Sequence, residues 1–176
     1  MKGVNLEEIR DAIRNVADFP QPGILFRDIT PILSDPRLFR QIIDALSEEA
    51  NKFKPDKIVG IDARGFLFGA AVAYKLGVGL VPVRKRGKLP YKTIHYSYVL
   101  EYGKADVEMH LDAVQEGERV VLVDDLLATG GTSAAAAHLI RQLNGKVEAA
   151  LFFIELVELG GRQHLVDVPV RTLIQF

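Results

Sequence analysis

From Lys57 onward the chain alternates short apolar runs with helix-period segments. That alternation restricts the architectures open to it more than any other feature. KIVGI (57–61), GLVPVR (79–84), RVVLV (119–123), KVEAALFFI (146–154) and RTLIQF (171–176) read as strands. Between them, Phe66 to Leu76, closed by Gly77, and Thr132 to Leu143, stopping at Asn144-Gly145, read as helices. Strands that alternate with helices are joined by right-handed crossovers, so the expectation is an α/β fold with a mostly parallel central sheet flanked by helices. In such sheets ligands bind beyond the carboxyl ends of the strands. The loops that matter therefore begin near Asp62, Arg84, Asp124 and Glu155.

The N-terminal part is less regular. Leu6, Ile9, Ile13 and Val16 predict a helix over 5–16, with Asn5 as N-cap and Glu7 and Glu8 favoured by the helix dipole. Asp18 to Gly23 breaks the chain, and ILFRDI (24–29) reads as a short extended piece. Ser34-Asp35-Pro36 then predicts a cap followed by proline at the first helical position, with Phe39, Ile42, Ile43 and Leu46 facing inward. Between Lys85 and Met109 lies a polar, aromatic-rich stretch with period-2 hints.

Length and charge limit the functions open to this architecture. The 176 residues suit one domain with a substantial core. Lys plus Arg is 22 and Asp plus Glu is 23, a net charge of -1, which argues against a nucleic-acid binder but leaves room for a local anion site. With no cysteine, disulfides, thiolate zinc sites and cysteine nucleophiles are excluded. No apolar run is long enough for a membrane span, and MKGVNLEEIR lacks the apolar core of a signal peptide. A cytoplasmic protein is expected.

The most informative segment is VVLVDDLLATGGTSAAAAHLI (120–140). A strand ends in two acids, Asp124 and Asp125. Ala128-Thr129-Gly130-Gly131-Thr132 then leads into an alanine-rich helix. Glycines let backbone N–H groups converge, the threonines add hydroxyls, and the helix N-terminus favours an anion, so the loop reads as a phosphate cradle. It is neither a GxxxxGK[ST] nor a GxGxxG loop. The acids cannot favour a phosphate, but they can accept hydrogen bonds from sugar hydroxyls. Acids followed by a phosphate loop therefore read as a ribose 5-phosphate site. The competing reading is an ordinary strand–turn–helix with solvated acids.

This segment resembles the phosphoribosyl-pyrophosphate signature of the type I phosphoribosyltransferases. Asp62-Ala63-Arg64-Gly65 is similar to that family's pyrophosphate loop, and Arg84-Lys85-Arg86-Gly87-Lys88-Leu89-Pro90 to its basic segment. FPQPGILFRDIT (19–30) and Leu100-Glu101-Tyr102-Gly103-Lys104 are similar to the adenine-specific members. The resemblance runs from about Phe19 to Leu159. It implies a single phosphoribosyltransferase domain over 1–176, with a small hood at about 1–35 and a mobile lid hairpin at about 87–109. It also implies transfer of the 5-phosphoribosyl group from phosphoribosyl pyrophosphate to N9 of adenine, giving AMP and pyrophosphate.

Carried over residue by residue, the resemblance places Ala63, Arg64, Gly65, Arg84, Lys85 and Lys88 on the pyrophosphate, with a strained or cis peptide at Ala63. Asp124, Asp125, Ala128, Thr129, Gly130, Gly131 and Thr132 fall on the ribose phosphate. Leu25, Phe26, Arg27 and Leu156 fall on adenine. From the residues alone, the segment around Ile24-Leu25-Phe26 reads more readily as core, and the basic run as a solvated patch. The resemblance assigns to Glu101, in the lid with Tyr102, the proton that adenine loses, and implies a catalytic role shared with Arg64. The four histidines show no paired ligand spacing, so no protein metal site is expected, and His138 reads as a packing or surface residue. Magnesium is expected to arrive on the pyrophosphate and ribose oxygens of the substrate. A homodimer is a family expectation. Two other readings stay open: an enzyme for a different purine, and a non-catalytic ligand sensor on the same fold.

Overall fold

The computed structural model describes residues 4–100 and 103–176, with residues 100 and 103–105 described by their backbone alone. The chain forms two compact units, one reaching to Ala45 and the other spanning Leu46–Phe176.

The first unit begins with α1 (Leu6–Asp11). Asn5 caps it, its side chain accepting from the Glu8 N–H. The expected helix over 5–16 is thus only half present, because residues 14–17 form β1 (Arg14–Ala17). β1 pairs antiparallel with β2 (Leu25–Asp28) in the register Val16↔Phe26. A lone helix of this length is marginal, so the strand partner takes the second half of the segment while Ile9 and Ile13 stay buried. α2 (Thr30–Ser34) is followed by α3 (Pro36–Asn51), where Asp35 accepts from the N–H groups of Arg37 and Leu38, as a cap before proline should. Leu38, Ile42, Ile43 and Leu46 are the buried face. Phe39, expected inward, is only half-buried.

The second unit is built on a seven-stranded sheet in which β3 (Lys57–Ile61), β4 (Gly79–Lys85), β7 (Arg119–Leu127), β8 (Lys146–Glu155) and β9 (Val170–Gln175) run parallel. Strand order is β5-β6-β4-β3-β7-β8-β9. The aromatic-rich stretch forms the antiparallel hairpin β5 (Thr93–Leu100) and β6 (Gly103–His110), added to the β4 edge. α4 (Gly65–Leu76) joins β3 to β4, and Gly77 closes it in the left-handed conformation. α5 (Gly131–Gln142) joins β7 to β8. Two short 3-10 turns, Val157–Leu159 and Gly161–His164, precede β9.

The two helices cover different faces of the sheet. Phe66 and Gly69 of α4 lie against Gly60 of β3, whereas Val59 and Ile61 share a buried cluster with Ala135, Ala136, Leu139 and Ile140 of α5. Four alanines in a row on α5 bring its backbone close to the strands. From β3 the chain crosses to one side of the sheet, and from β7 to the other. The crevice between the carboxyl ends of β3 and β7 is therefore the topological switch point, where open α/β sheets bind ligands.

Candidate active site

Pairing between β3 and β7 stops at Gly60↔Val123, whereas β7 continues beside β8 as far as Leu127↔Glu155. The strand expected over 119–123 is thus four residues longer. Asp124 and Asp125 sit within it, not in a loop. They fall where β7 has lost its β3 neighbour, so their side chains border an opening instead of another strand. Gly65 explains the close fit here: a Cβ on it would stand 2.6 Å from Asp124 Oδ1.

That opening is a cleft of about 300 Å³ lined by Ile61 to Arg64 on one side and Asp124 to Ser133 on the other. The structure thereby unites two sequence-predicted groups, Ala63 with Arg64 and the acid pair with Ala128, Thr129, Gly130, Gly131 and Thr132. The Asp62–Ala63 peptide is cis, in line with the expectation at Ala63. Arg64 Nε donates to Asp125 Oδ2 at 2.6 Å. Asp124 Oδ1 accepts from the Asp125 N–H at 2.8 Å. Burial, followed by the adjacent Asp125 charge, holds the Asp124 carboxyl well above the usual range. Burial raises Asp125 as well, against the pull of Arg64. Two carboxylates in one confined site resist full ionisation together.

The phosphate loop is backed by a second turn. Gly130 caps α5 at φ +80°, and a Cβ there would stand 2.3 Å from the Gly161 carbonyl oxygen. A Cβ on Gly161 would in turn stand 2.3 Å from the Ala128 carbonyl oxygen. The two backbones touch because both residues lack side chains. The turn is fixed by Arg162, which holds the buried Glu155 with Nε and Nη2 at 2.6 and 2.7 Å, while Thr172 and Gln175 donate to the same carboxylate. Nothing in the linear pattern pointed to Gly161, since it lies thirty residues from the loop it supports.

The basic segment approaches from β4. Arg84 Nε reaches Asp62 Oδ2 at 3.2 Å, and Arg84 Nη1 donates to the Lys88 carbonyl at 3.1 Å. Lys85 ends β4 with its side chain exposed. Asp62, which opens the Asp62-Ala63-Arg64-Gly65 loop, thus links that loop to the basic segment, a pairing the sequence does not show. Leu156 follows β8, and its N–H donates to the Leu127 carbonyl at 2.9 Å. Leu25, Phe26 and Arg27 lie on β2 in the first unit, where the Phe26 ring meets Phe19 edge-on at 5.1 Å and the Arg27 guanidinium bonds Asn15. Glu101 and Tyr102 lie outside the described residues. His138 stacks on Tyr96 at 3.8 Å, a packing role, and His164 Nδ1 meets the Tyr98 hydroxyl at 2.9 Å.

A crevice at the switch point, two acids and a glycine-threonine loop at a helix start define a class of protein that binds a sugar phosphate. The family model described as "Phosphoribosyl transferase domain" matches residues 28–167, and the chain belongs to that family. Its relatives narrow this to the adenine branch. The chain is 55% identical over 171 residues, 96% of each chain, to the adenine phosphoribosyltransferase of Bradyrhizobium sp. (strain ORS 278). The crystal structure of adenine phosphoribosyltransferase from Thermoanaerobacter pseudethanolicus is similar at a TM-score of 0.94 and 52% identity, covering 98% of this chain and 100% of that one. The Saccharomyces cerevisiae enzyme, crystallised with adenine and an imino-altritol bisphosphate, is similar at 0.89 and 44% identity, covering 96% and 97%.

Proposed function

We infer that this chain makes AMP and pyrophosphate from adenine and phosphoribosyl pyrophosphate. The observation that carries the inference is the cleft between β3 and β7, which joins Asp124 and Asp125 to the 128–132 loop on one wall and to Arg64 on the other. The loop and the start of α5 bind the 5-phosphate. The two acids accept from the ribose hydroxyls. Ala63, Arg64 and Gly65, with Arg84, Lys85 and Lys88, bind the pyrophosphate. Adenine N9 attacks the anomeric carbon as the bond to pyrophosphate breaks. Positive charge builds on the ribose, and positioning with charge neutralisation supplies most of the rate. Magnesium would arrive with the substrate and would supply charge neutralisation of the departing pyrophosphate beside Arg64, Arg84, Lys85 and Lys88.

In this reading Leu25, Phe26, Arg27 and Leu156 bind adenine. The ring of Phe26 stacks on the base, and backbone groups of Leu25 and Arg27 pair with its edge. A carbonyl accepting from the exocyclic amine and an N–H donating to N1 suit a 6-aminopurine. A 6-oxopurine presents the reverse pattern and leaves buried groups unpaired. Residues 1–35 serve as the hood, 87–109 as the lid, and Glu101 in the lid accepts the adenine proton. The enzyme works in the cytoplasm as a homodimer. The dimer is supported by three exposed apolar side chains, Leu67 and Tyr74, seven residues apart on α4, and Leu80 on β4. Pyrophosphate release measured with adenine, hypoxanthine and guanine in turn tests the assignment. Adenine should be turned over and the other two poorly; comparable rates with hypoxanthine would overturn it.

A further inference from the structure

Glu108 is a carboxylate that the sequence motifs do not touch and the reaction does not consume. It sits on β6 opposite Arg84 of β4 and is only 4% exposed. Among the described residues no ion pair neutralises it. Its Oε1 instead accepts from the backbone N–H groups of Lys88 and Leu89, both at 2.8 Å. Oε2 accepts from the Thr93 hydroxyl at 3.3 Å. Burial pushes this carboxyl up, but the N–H groups of Leu89, Gly87 and Lys88 and the Thr93 hydroxyl outweigh it, so the group stays charged.

The turn at 87–89 is therefore clamped from both sides. Its N–H groups close on Glu108, and its Lys88 carbonyl accepts from Arg84, which also holds Asp62 at the cleft wall. A surface turn carrying a lysine and following three other cations, Arg84, Lys85 and Arg86, has every electrostatic reason to splay into solvent. A buried anion beneath its backbone opposes that without touching the side chains that point outward. Charge-assisted bonds to backbone N–H groups are the strong kind, and here they act on the main chain of the residue whose ammonium is needed. We propose that Glu108 is a positioning residue that holds the 87–89 turn in the conformation in which Lys88 and Arg84 engage the pyrophosphate group. This rests on the reading of those two cations as pyrophosphate ligands.

The test compares inhibition by magnesium pyrophosphate with inhibition by AMP, since only the first needs the basic turn. Glu108→Ala should weaken pyrophosphate by about tenfold, the size of one lost buried hydrogen bond, and raise the KM for phosphoribosyl pyrophosphate similarly. AMP affinity should stay within about twofold, a split that general loosening of the fold would not give. Glu108→Gln keeps an oxygen for both N–H groups and should recover most of the loss. Lys88→Ala should weaken pyrophosphate, and Glu108→Ala added to it should cause a smaller further loss than Glu108→Ala causes alone, because Glu108 acts through Lys88 and the remainder through Arg84. Should Glu108→Ala fail to fold, Glu108→Asp keeps the charge but withdraws it from the turn and should show the same pyrophosphate-specific loss. Equal weakening of AMP and pyrophosphate would overturn the inference. So would parental pyrophosphate affinity in Glu108→Ala or Glu108→Asp beside a weakened Lys88→Ala. Parental affinity in Lys88→Ala would overturn the reading of Lys88 and the inference with it.

Discussion

Asp124 illustrates how one residue can serve the site at the expense of the fold. Its carboxyl is raised by burial and by Asp125, so the folded protein binds a proton more readily there than the unfolded chain does. The contribution to stability is complete below the ordinary value of 3.8 and is lost as pH rises from there through the raised folded value. Asp124→Asn removes that penalty while its oxygen still accepts from the Asp125 N–H. We expect the unliganded variant to gain about 1 kcal/mol near neutral pH, roughly 2–4 °C in Tm, and to bind phosphoribosyl pyrophosphate more weakly. A variant no more stable than the parent at pH 7 would show that the acid pair is not repulsive. Gly130 poses the opposite case. Gly130→Ala meets the Gly161 carbonyl in a backbone conformation L residues avoid, so the loop must move. AMP affinity measured by calorimetry should fall by tenfold or more, with about 1–3 kcal/mol lost from stability. Unchanged affinity would place the phosphate elsewhere.

Among the elements, the β5–β6 hairpin makes up most of the proposed lid, 87–109, and is also the edge of the sheet. The sequence showed only an aromatic-rich stretch with partial alternation, because its two faces do different jobs. Ile94, Tyr96 and Tyr98 pack on the buried cluster, whereas Tyr91 is exposed. Tyr96 stacks on His138 of α5, the helix that begins at the phosphate loop, so the root of the hairpin is tied to the cradle. Tyr98→Phe removes only the bond to His164 and should cost about 1 kcal/mol, seen as faster amide exchange along β5 and β6. An unchanged exchange pattern would mean that ring packing alone anchors the hairpin. Glu101→Gln tests the proposed proton acceptor. If Glu101 takes the adenine proton, the single-turnover rate should fall by roughly 10²–10⁴-fold with phosphoribosyl-pyrophosphate affinity nearly unchanged. A rate within about threefold of the parent would remove Glu101 from the mechanism.

At the scale of the whole molecule, the carboxylates whose proton affinity the fold shifts fall into two groups of opposite sign. Hydrogen bonds from Arg37 lower Glu8, those from Arg162 lower Glu155, and those from Arg119 lower Asp56 to about 2. A lowered carboxyl contributes stability that is present above its unfolded value and is lost as pH falls through its folded one. These ion pairs should therefore hold the fold down to about pH 4 and release it below. The raised Asp124 and Asp125 work the other way, erasing stability as pH climbs above 3.8. The unliganded protein should accordingly melt highest on the acid side of neutrality, and a Tm still rising through pH 8 would contradict this. Substituting Tyr74, 90% exposed on α4, with Glu tests the dimer. Light scattering should find monomer if the exposed face of α4 is the interface, and an unchanged mass would move the interface elsewhere.

Strand and helix periodicity alone determined the parallel sheet, its crossovers and the end of the sheet that carries the loops, because an apolar run and a 3.6-residue repeat are properties of a local segment. The acid pair and the 128–132 loop were legible for the same reason: strand end, glycines and helix start are contiguous in the chain. Tertiary structure decided what depends on neighbours distant in sequence. Residues 14–17 left the helical pattern because 25–28 offered a strand partner. Asp124 and Asp125 became part of β7 because β8 continued beside them after β3 had ended. Gly161 against Gly130, Asp62 beside Arg84, and Glu108 beneath the 87–89 turn carry no signal in their own segments. Each is defined by a contact across the fold, and a contact of that kind has no period to read.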